Sequence, residues 1–395
     1  MLPGSVNLIA AVQDRRYGAG MLSRFDDYPV HQMPVPVAHT GTADRNHYDR
    51  YFFNGYLPDG EVYFAAAMGL YPNRSVIDAA FSIVHHGRQK SLFASGRAPQ
   101  ERSDTEVGPV RVGVLEPMTR LRVIVDGDEH GIEADVTFEA RAVAVEEARQ
   151  TRHHGTTLIM DVTRFTQHGT WSGWLRVDGQ RIELDARVAR GTRDRSWGIR
   201  PVGEPPGGAP ATTPPQFFWL WAPCNFADEC TYIALFDDAV GTKHYQHSLV
   251  APVRSNVDDP TIDPGGIAER FRDTDFTIEW QPGTRWARRA TIDLVPFRGA
   301  PRHLELDVLY TFQMCGIGYS HPQWAHGAWR GELAVATEEW KLADVDAMAA
   351  HNLHVQGVCR VSIDGGKAGW GILEQIAVGP HEPTGLTGIL DPAPG

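Results

Sequence analysis

The chain has 395 residues, of which 42% are hydrophobic and 22% are charged, and this balance is typical of a globular protein with a core large enough for about two domains. The net charge of −12, without a basic stripe, argues against a nucleic-acid partner, because phosphate binding requires clustered Lys and Arg. The longest apolar runs, at 62–70 and 217–223, are shorter than the roughly 18 residues of a membrane-spanning helix.

The N-terminus and the cysteines bear on the cellular compartment. The chain does not begin with a basic segment followed by an apolar stretch, so we predict no signal peptide. The four cysteines are scattered, without a Cys-x-x-Cys pair, which favours reduced and partly buried thiols over a disulfide framework. We therefore expect a cytoplasmic protein without an integral membrane segment. The sequence does not indicate its oligomeric state.

In chain order, the predicted elements are mostly β-strands. Residues 132–139 alternate apolar and polar side chains, as do residues 304–312, and this period of two indicates strands with one buried face. Asp-Gly turns such as 178–179 recur between alternating runs and indicate hairpins. Helices are predicted only at 142–150 and 342–350. The predicted fold class is therefore mainly antiparallel β, built as sandwiches or barrels.

A Pro/Gly-rich spacer at 203–215 predicts a boundary between an N-terminal domain, residues 1–203, and a C-terminal domain, residues 204–395. The pattern His-Gly-x-Trp-x-Gly occurs once in each half, at 168–173 and at 326–331, and a duplicated β unit would explain it. The alternatives are a long surface loop inside one domain and a coincidence in a chain rich in these residue types.

The motifs of metal, nucleotide and covalent chemistry are missing from the sequence. The histidine pairs at 85–86 and 153–154 would point to opposite faces of a strand, and no His-Glu-x-x-His pattern occurs. There is no glycine-rich phosphate loop and no Gly-x-Ser-x-Gly nucleophile elbow. We therefore expect no metal and no cofactor, and no serine or cysteine nucleophile is nominated.

The most informative segment, 191–221, combines a charge cluster with three tryptophans. If Arg193, Asp194 and Arg195 lie in a strand, the two arginines share one face and Asp194 lies on the other. The flanking cations predict a lowered pKa for Asp194, which suits an ionised anchor at least as well as a catalytic group. We expect these charges to be buried and paired, so that loss of Asp194 lowers stability.

The tryptophans are candidate ligand-binding residues. Trp219 and Trp221 share one strand face, and an aromatic face near a charge cluster favours a cavity for an apolar ligand. Trp197 would lie in or beside this cavity, and its arginine neighbours Arg193 and Arg195 would hold a polar head group. The tryptophan rings would also stabilise a passing carbocation. The alternative is that all three tryptophans are ordinary barrel core.

Glu374 is the first candidate for a catalytic acid. It shares one strand face with Trp370 and Ile372, so its pKa would rise if that face lines an apolar cavity. If the face meets water, Glu374 is an ordinary surface carboxylate. Trp370 becomes a further candidate ligand contact by the same argument. The other candidate carboxylates are Asp194 and, with weaker claims, Asp238 and Asp161.

Several segments resemble the carotenoid hydratases (hydroxyneurosporene synthases) and their relatives, a two-domain lipocalin-like family. The segments are Tyr51-Phe52-Phe53-Asn54-Gly55, Gly69-Leu70-Tyr71-Pro72-Asn73, Arg193-Asp194-Arg195-Ser196-Trp197-Gly198, Phe218-Trp219-Leu220-Trp221 and Gly371-Ile372-Leu373-Glu374. The resemblance covers roughly residues 45–390. It implies two lipocalin/calycin-like antiparallel β-barrel domains packed together, with a long apolar ligand in one barrel or between them.

The resemblance also bears on the site. Trp197 matches a tryptophan among the working groups of the hydratases, whereas their histidine two residues earlier is replaced here by Arg195. Their downstream Tyr-x-Asp has only a degenerate counterpart at 236–238. Other members of the wider calycin group resemble cyclases that fold a polyene without a cofactor, and others only bind a ligand.

These observations lead to a favoured function and two alternatives. The favoured function is a cofactor-free lyase or isomerase, of hydratase or cyclase type, that acts by acid catalysis on an apolar isoprenoid, steroid or polyketide. The first alternative is a non-catalytic carrier or sensor of a hydrophobic small molecule, and the second is a structural partner protein without a pocket. A carboxyl group with a raised pKa inside the cavity would distinguish the enzyme from the carrier.

Overall fold

The computed structural model describes residues 21–58, 60–202, 209 and 214–393. Within these residues the chain forms antiparallel strands joined by turns, so the predicted mainly β fold class is confirmed. No helix in the described part of the chain is long and apolar enough to cross a membrane.

The strands lie in two sheets. Those before the Pro/Gly-rich spacer are β1 (His47–Tyr56), β2 (Val62–Tyr71), β3 (Val76–His85), β4 (Arg88–Arg97), β5 (Glu106–Val107), β6 (Val110–Glu116), β7 (Arg120–Gly127), β8 (Ile132–Ala140), β9 (Val145–Glu146), β10 (Gln150–His154), β11 (Thr157–Val177), β12 (Gln180–Leu184) and β13 (Arg190–Ile199). Those after it are β14 (Phe217–Trp221), β15 (Cys224–Asn225), β16 (Glu229–Asp237), β17 (Lys243–Pro252), β18 (Glu269–Arg270), β19 (Asp273–Trp280), β20 (Ala287–Val295), β21 (Arg302–Gln313), β22 (Leu333–Lys341), β23 (His354–Ile363) and β24 (Lys367–Val378). Short 3-10 helices occupy Arg24–Asp27, Pro72–Arg74, Asp128–His130, Met314–Ile317, Leu342–Asp344, Ala350–Asn352 and Glu382–Thr384.

The first sheet curls into a nearly closed barrel. Its main path runs β22-β4-β3-β2-β1-β13-β11-β8-β7-β6-β5, while β9, β10 and β12 also pair with β11. The short end strands β5 and β6 lie close to β3, which brings the two ends of the sheet together. Strand β22 comes from the second half of the chain and extends this sheet by pairing with β4.

The second sheet follows the order β18-β17-β16-β14-β24-β23-β21-β20-β19, and β15 pairs with both β16 and β24. It also curls, since Ser248 on β17 hydrogen bonds to Thr274 on β19, with 2.5 Å between the hydroxyl oxygens. The domain boundary predicted at 203–204 and most of the spacer lie outside the described residues, so the division of the chain stays a prediction.

The three largest apolar clusters among the described residues form most of the core. One fills the first barrel, one lies on the inner face of the second sheet, and one lies between the two sheets. Strand β1 contributes to two of them: Phe53 points into the barrel, while Phe52 packs edge-on against Trp221 of the second sheet, with 6.1 Å between ring centroids. Burial on both faces explains why β2, at 62–71, is apolar almost throughout.

Polar side chains join the sheets as well. Tyr56 on β1 donates a hydrogen bond to the carbonyl of Trp370 on β24, at 3.0 Å, and accepts one from Asn225 at 2.9 Å. Arg141, which follows β8, donates to the Asn225 side chain at 3.1 Å. The outer face of the barrel is therefore fixed against the second sheet, and any site between the two sheets has rigid walls.

The two predicted helices were wrong. Residues 142–150 form an extended segment that contains β9, because Val143 and Val145 pack against Tyr232 and Leu249 of the second sheet. Residues 342–350 form only a 3-10 turn, Leu342–Asp344, followed by irregular chain. In both places, tertiary packing or local turns outweigh a weak helix propensity.

The repeated hexapeptide does not mark equivalent positions. Residues 168–173 lie in the middle of β11, whereas residues 326–331 form part of the loop before β22. The predicted duplication of a β unit therefore finds no support in these two segments.

Candidate functional site

A cavity of about 90 Å³ lies between the outer face of the first barrel and the second sheet. Its polar lining residues are Gln150, Arg164, Asp194, Arg200, Tyr319, His354 and Glu374. Its apolar lining residues are Phe52, Met160, Phe217, Trp219, Trp221 and Ile376. Four charged side chains thus meet in one small space enclosed by aromatic rings.

The alternation of strand β13 places Asp194 in this cavity. Asp194 lies between Phe52 on β1 and Thr166 on β11 in the sheet register, and its side chain points out of the barrel toward the second sheet. Its neighbours Arg193 and Arg195 point to the opposite face, as successive strand residues must. The predicted separation of Asp194 from the two arginines is confirmed, but it also means that these arginines are not the ion-pair partners of Asp194.

The pKa of Asp194 is raised to about 6, chiefly because the carboxyl group is buried. The negative charges of Glu147 and Glu374 raise it further, and the cations Arg164 and Arg200 only partly oppose this. The nearest cationic atom is Arg164 Nε, 3.9 Å from the carboxylate, which is beyond hydrogen-bond distance. The sequence prediction of a lowered pKa was wrong, because Arg193 and Arg195 lie behind the strand and burial dominates.

Glu374, on β24, lines the same cavity but has the opposite electrostatics. Trp219 donates its indole N–H to this carboxylate at 3.1 Å, and His354 Nε2 lies 3.0 Å from the same oxygen. Gln356 donates to the second oxygen at 2.5 Å. Burial acts to raise the pKa of Glu374, but His354, Gln356 and Arg164 outweigh it, so the pKa is lowered. The prediction that Glu374 carries a raised pKa was therefore wrong.

Arg164 on β11 is held in place by a buried anion. Glu147 accepts hydrogen bonds from Thr166 and Tyr245, each at 2.7 Å, and lies 3.4 Å from Arg164 Nη1. Burial acts to raise the pKa of Glu147, but Arg164 is the largest of the opposing causes and the pKa is lowered. The guanidinium of Arg164 lies over the ring of Trp219, 5.2 Å from its centroid. Arg164 is thus a fixed cation in the cavity wall.

Arg200 is a second fixed cation. Its guanidinium lies over the rings of Tyr48 and Tyr319, 4.5 and 5.5 Å from their centroids. Arg200 Nη2 lies 3.2 Å from His326 Nδ1, while His326 Nε2 lies 3.1 Å from the carbonyl of Ile317. Burial lowers the pKa of His326 well below its usual value, so this imidazole is neutral and accepts from Arg200.

The structure does not bring Arg193, Arg195 and Trp197 into the cavity. Arg193 is buried on the inner face of the barrel, where it donates to Gln167 at 2.8 Å, and burial lowers its pKa to about 10. Arg195 pairs with Asp49, and Trp197 is 40% exposed. The cations that can bind a polar head group in the cavity are therefore Arg164 and Arg200, not Arg193 and Arg195.

The remaining candidates divide between cavity and surface. Trp219 and Trp221 line the cavity as expected, whereas Trp370 packs between the sheets and contributes only its carbonyl to Tyr56. Asp238 lies in the turn after β16, where it accepts the backbone N–H groups of Val240 and Thr242. Asp161 is paired with Arg149 on the barrel surface. Neither of these two carboxylates reaches the cavity, because each belongs to a turn or an exposed strand face.

The sequence reasoning missed Arg164, Arg200, His354, Tyr319 and the supporting Glu147. They come from β11, β23 and three loops, so only the sheet register brings them together. No alternation marks these positions, because only Phe165 is apolar between Thr163 and Gln167 on β11. Among the described residues, no group of three or more His, Cys, Asp or Glu side chains has the arrangement of a metal site.

The raised pKa of Asp194 carries a prediction for stability. A shift from 3.8 to about 6 corresponds to about 3 kcal/mol that the ionised carboxyl costs the folded state. The cost is complete above pH 6 and disappears as the pH falls toward 4, where Asp194 is protonated in both states. We therefore expect Asp194→Asn to raise the free energy of unfolding by up to about 3 kcal/mol at pH 8 and to have little effect at pH 4.

Urea unfolding at both pH values checks this expectation, with the exposed Asp275→Asn as control. A loss of stability at pH 8 would restore the earlier interpretation of Asp194 as an ion-pair anchor. We expect a gain in stability and not a loss, because Arg164 keeps Glu147 as its principal anion when Asp194 is replaced.

Comparisons with solved structures give distant relatives. A protein of Nitrosomonas europaea provisionally assigned as AttH has 13% identity and a TM-score of 0.52, with 88% of this chain and 98% of that chain covered. Kievitone hydratase of Nectria haematococca has 14% identity and a TM-score of 0.48, with 83% and 88% covered. CghA in complex with Sch210972 has 10% identity and a TM-score of 0.46, with 84% and 89% covered.

At such low identity, the likeness to the Nitrosomonas protein shows a shared fold and nothing about activity. A sequence comparison with curated proteins gives no match. A family model described as "Family of unknown function (DUF8625)" matches residues 22–387. This match spans both sheets and the cavity between them, and the chain therefore belongs to this family of unknown function.

Proposed function

We propose that this protein is a cofactor-free lyase or isomerase, of hydratase or cyclase type, that transfers a proton to a largely apolar small molecule in the cavity between the sheets. The substrate class proposed is an isoprenoid, steroid or polyketide. Asp194 is the acid, and Glu374 with His354 is the base that receives a proton or orients water. The roles of Glu374 and Asp194 are thus exchanged relative to the sequence hypothesis.

The observation that carries this proposal is the opposite pKa behaviour of two carboxyl groups in one cavity. Asp194 has a pKa of about 6 and Glu374 a lowered one, so a single pH near neutrality leaves a usable fraction of acid beside an ionised base. Pairs of titratable groups whose environments separate their pKa values are typical of acid–base catalysis. Neither group is needed merely to join the two sheets.

The alternative of a carrier or sensor fits the lining less well. A carrier of hydrophobic molecules needs an apolar pocket with few polar contacts. This cavity instead places Arg164, Asp194, Arg200 and Glu374 around one space. The burial of Asp194 in particular is poorly compensated, because its nearest cationic atom is 3.9 Å away. The charge content therefore favours chemistry over storage.

The cavity size indicates which part of a substrate it holds. At about 90 Å³ it is smaller than the roughly 300–1,000 Å³ of pockets for drug-sized ligands, so it accommodates the reacting end. Strand β10 runs outward from Gln150 in the cavity to Arg152 and His154, which line a surface hollow of about 480 Å³. Arg152 covers Phe217, which lines the cavity, so the hollow is placed to take the rest of the molecule.

Native mass spectrometry of the protein purified from its own host would identify the molecule that it retains. Incubation of that molecule with the protein in heavy water then tests catalysis, because a proton that the cavity carboxyl groups add to or remove from carbon exchanges with solvent deuterium. We expect deuterium in the product. A retained molecule that stays unchanged and unlabelled would leave the carrier function.

Ligand binding is expected to quench the fluorescence of Trp219 and Trp221, because both indoles line the cavity. Titration with farnesol, cholesterol and a linear polyene should quench the wild type with at least one of these probes. Trp219→Phe should lose much of the signal, whereas Trp197→Phe, which changes an indole that is 40% exposed, should keep it. Equal loss in both variants, or flat titrations with all probes, would contradict a ligand at this position.

A further inference from the structure

The cations in the cavity wall limit the chemistry that it can support. Arg164 and Arg200 both line the cavity, and Glu147 and Asp194 hold the pKa of Arg164 above its usual value despite burial. Arg200 is also held protonated, by the tyrosines around it. Both guanidinium groups are therefore charged near neutral pH.

Two of the aromatic rings that line the cavity already have a guanidinium group over one face. Arg164 lies over Trp219, 5.2 Å from the ring centroid, and Arg200 lies over Tyr319 at 5.5 Å. Both faces of a ring attract a cation, and a guanidinium group lies over one face of each of these two rings. A carbocation in this cavity would lie near two fixed guanidinium charges and be repelled by them. The expectation that the tryptophans stabilise a carbocation is therefore not supported by this arrangement.

The guanidinium groups of Arg164 and Arg200 have N–H donors that could bind an oxygen atom of a ligand. Arg164 Nη1 is directed to Glu147, while Arg164 Nε is buried without a hydrogen-bond acceptor and lies 3.9 Å from Asp194. The Nε of Arg200 is likewise buried without a hydrogen-bond partner among the described residues. Buried donors without an acceptor are costly, and they cluster here around the proposed acid.

We infer that the substrate is a β-hydroxy carbonyl compound, or the corresponding α,β-unsaturated carbonyl, whose oxygen is bound by Arg164 and Arg200 as an enolate forms. This inference rests on the proposed function and specifies its substrate class. Fixed donors aimed at an oxygen that gains negative charge are an established way to lower such a barrier. The apolar part of such a substrate would lie in the surface hollow, and its carbonyl oxygen would lie in the cavity beside the two arginines.

The step balances with the groups present. Glu374, assisted by His354, removes the proton from the carbon next to the carbonyl, and the C–H electron pair forms the enolate, whose oxygen is held by the two arginines. The enolate then re-forms the carbonyl and expels the β-hydroxyl, which takes the proton of Asp194 and leaves as water. Glu374 ends protonated and Asp194 ionised, and exchange with solvent restores both. Hydration of the unsaturated compound is the same sequence in reverse.

The test compares three probes built on one ring: 4-nitrophenol, 4-nitroanisole and 4-nitrophenyltrimethylammonium. They present an oxyanion, a neutral ether and a cation to the cavity, and tryptophan fluorescence reports their binding. We expect the phenolate to bind about ten-fold or more tightly than the anisole, with a bound-state pKa lowered by about one unit or more, and the ammonium to bind most weakly. The visible absorption of the phenolate reports its ionisation directly.

Variants locate the effect. Arg200→Met and Arg164→Met should each reduce the preference for the phenolate, whereas Arg288→Met, at an exposed arginine on β20, should not. Arg164→Met leaves the buried Glu147 without its cation and is expected to destabilise the fold. Arg200→Met and the three wild-type affinities are therefore sufficient for the decision. Equal binding of phenolate and anisole, preference for the ammonium, or no binding of any probe overturns the inference.

The proposed function fails in a different way. If the protein prefers the cation but still introduces solvent deuterium into its own ligand, only the enolate chemistry is refuted. If it prefers the phenolate but transfers no proton, the proposed catalysis is refuted while the oxyanion site remains.

Discussion

Asp194→Asn should lower turnover by about 10²–10⁴-fold while leaving ligand binding nearly unchanged. Asparagine keeps the shape of the side chain and its contacts with the cavity, but it has no proton to donate. Turnover is measured on the molecule that the protein retains, and binding by tryptophan fluorescence. The exposed Asp275→Asn, which removes a carboxyl from β19 far from the cavity lining, is the matched control and should keep full activity.

The pH dependence of turnover by the wild type should also show whether Asp194 is the acid. Because the acid must be protonated, turnover should fall as the pH rises through about 6, the pKa of Asp194. The limb at low pH belongs to Glu374, whose lowered pKa keeps it ionised well below that point. Full activity of Asp194→Asn, or a profile that stays flat from pH 5 to pH 8, would show that Asp194 is not the acid.

The strand pattern predicted the fold class because apolar alternation is a local property. Residues 132–139 and 304–312 lie in β8 and β21, as their period of two indicates. The pairing of β22 with β4 was not predictable, since it joins residues more than two hundred positions apart by hydrogen bonds that any extended segment can make. The segment 142–150 failed as a helix for a related reason, because distant strands supply its packing.

The site was predictable only as far as alternation reaches. The period of two separated Asp194 from Arg193 and Arg195, and it put Trp219 and Trp221 on one face. The alternation does not show which side chains of other strands face the cavity, and those side chains determine the pKa values of Asp194 and Glu374. The pKa of Asp194 was expected to be lowered by its sequence neighbours, but burial raises it. The pKa of Glu374 was expected to be raised by burial, but His354 and Gln356 lower it.

This contrast has a physical basis. Interactions between charges depend on distances across sheets, and residues adjacent in a strand point away from each other. The cations that matter to Asp194, namely Arg164 and Arg200, lie on a neighbouring strand and in a following loop. Their importance follows from the register of β11 with β13, in which Thr166 opposes Asp194. Sequence spacing alone contains no information on that register.

Arg285→Met should lower the free energy of unfolding by about 3–5 kcal/mol. The Arg285 side chain is completely buried beside β20. It donates hydrogen bonds to the carbonyls of Ala377, Gly379, Gly388 and Asp391 and to the Asp391 carboxylate. Methionine fills a similar volume but leaves these acceptors without donors, and the cost of an unsatisfied buried acceptor is larger than the gain from a single hydrogen bond.

Arg288→Met is the matched control, because Arg288 is three residues away and its side chain is 66% exposed in a surface pair with Glu279. Its effect should stay within about 1 kcal/mol. The Arg285 side chain also holds β24 itself, since it donates to the carbonyl of Ala377, three residues after Glu374 on that strand. Loss of Arg285 should therefore loosen the strand that carries the proposed base, and ligand-induced quenching should weaken together with the unfolding midpoint. Equal destabilisation by both variants would show instead that loss of positive charge, and not the anchoring of the C-terminal segment, sets the cost.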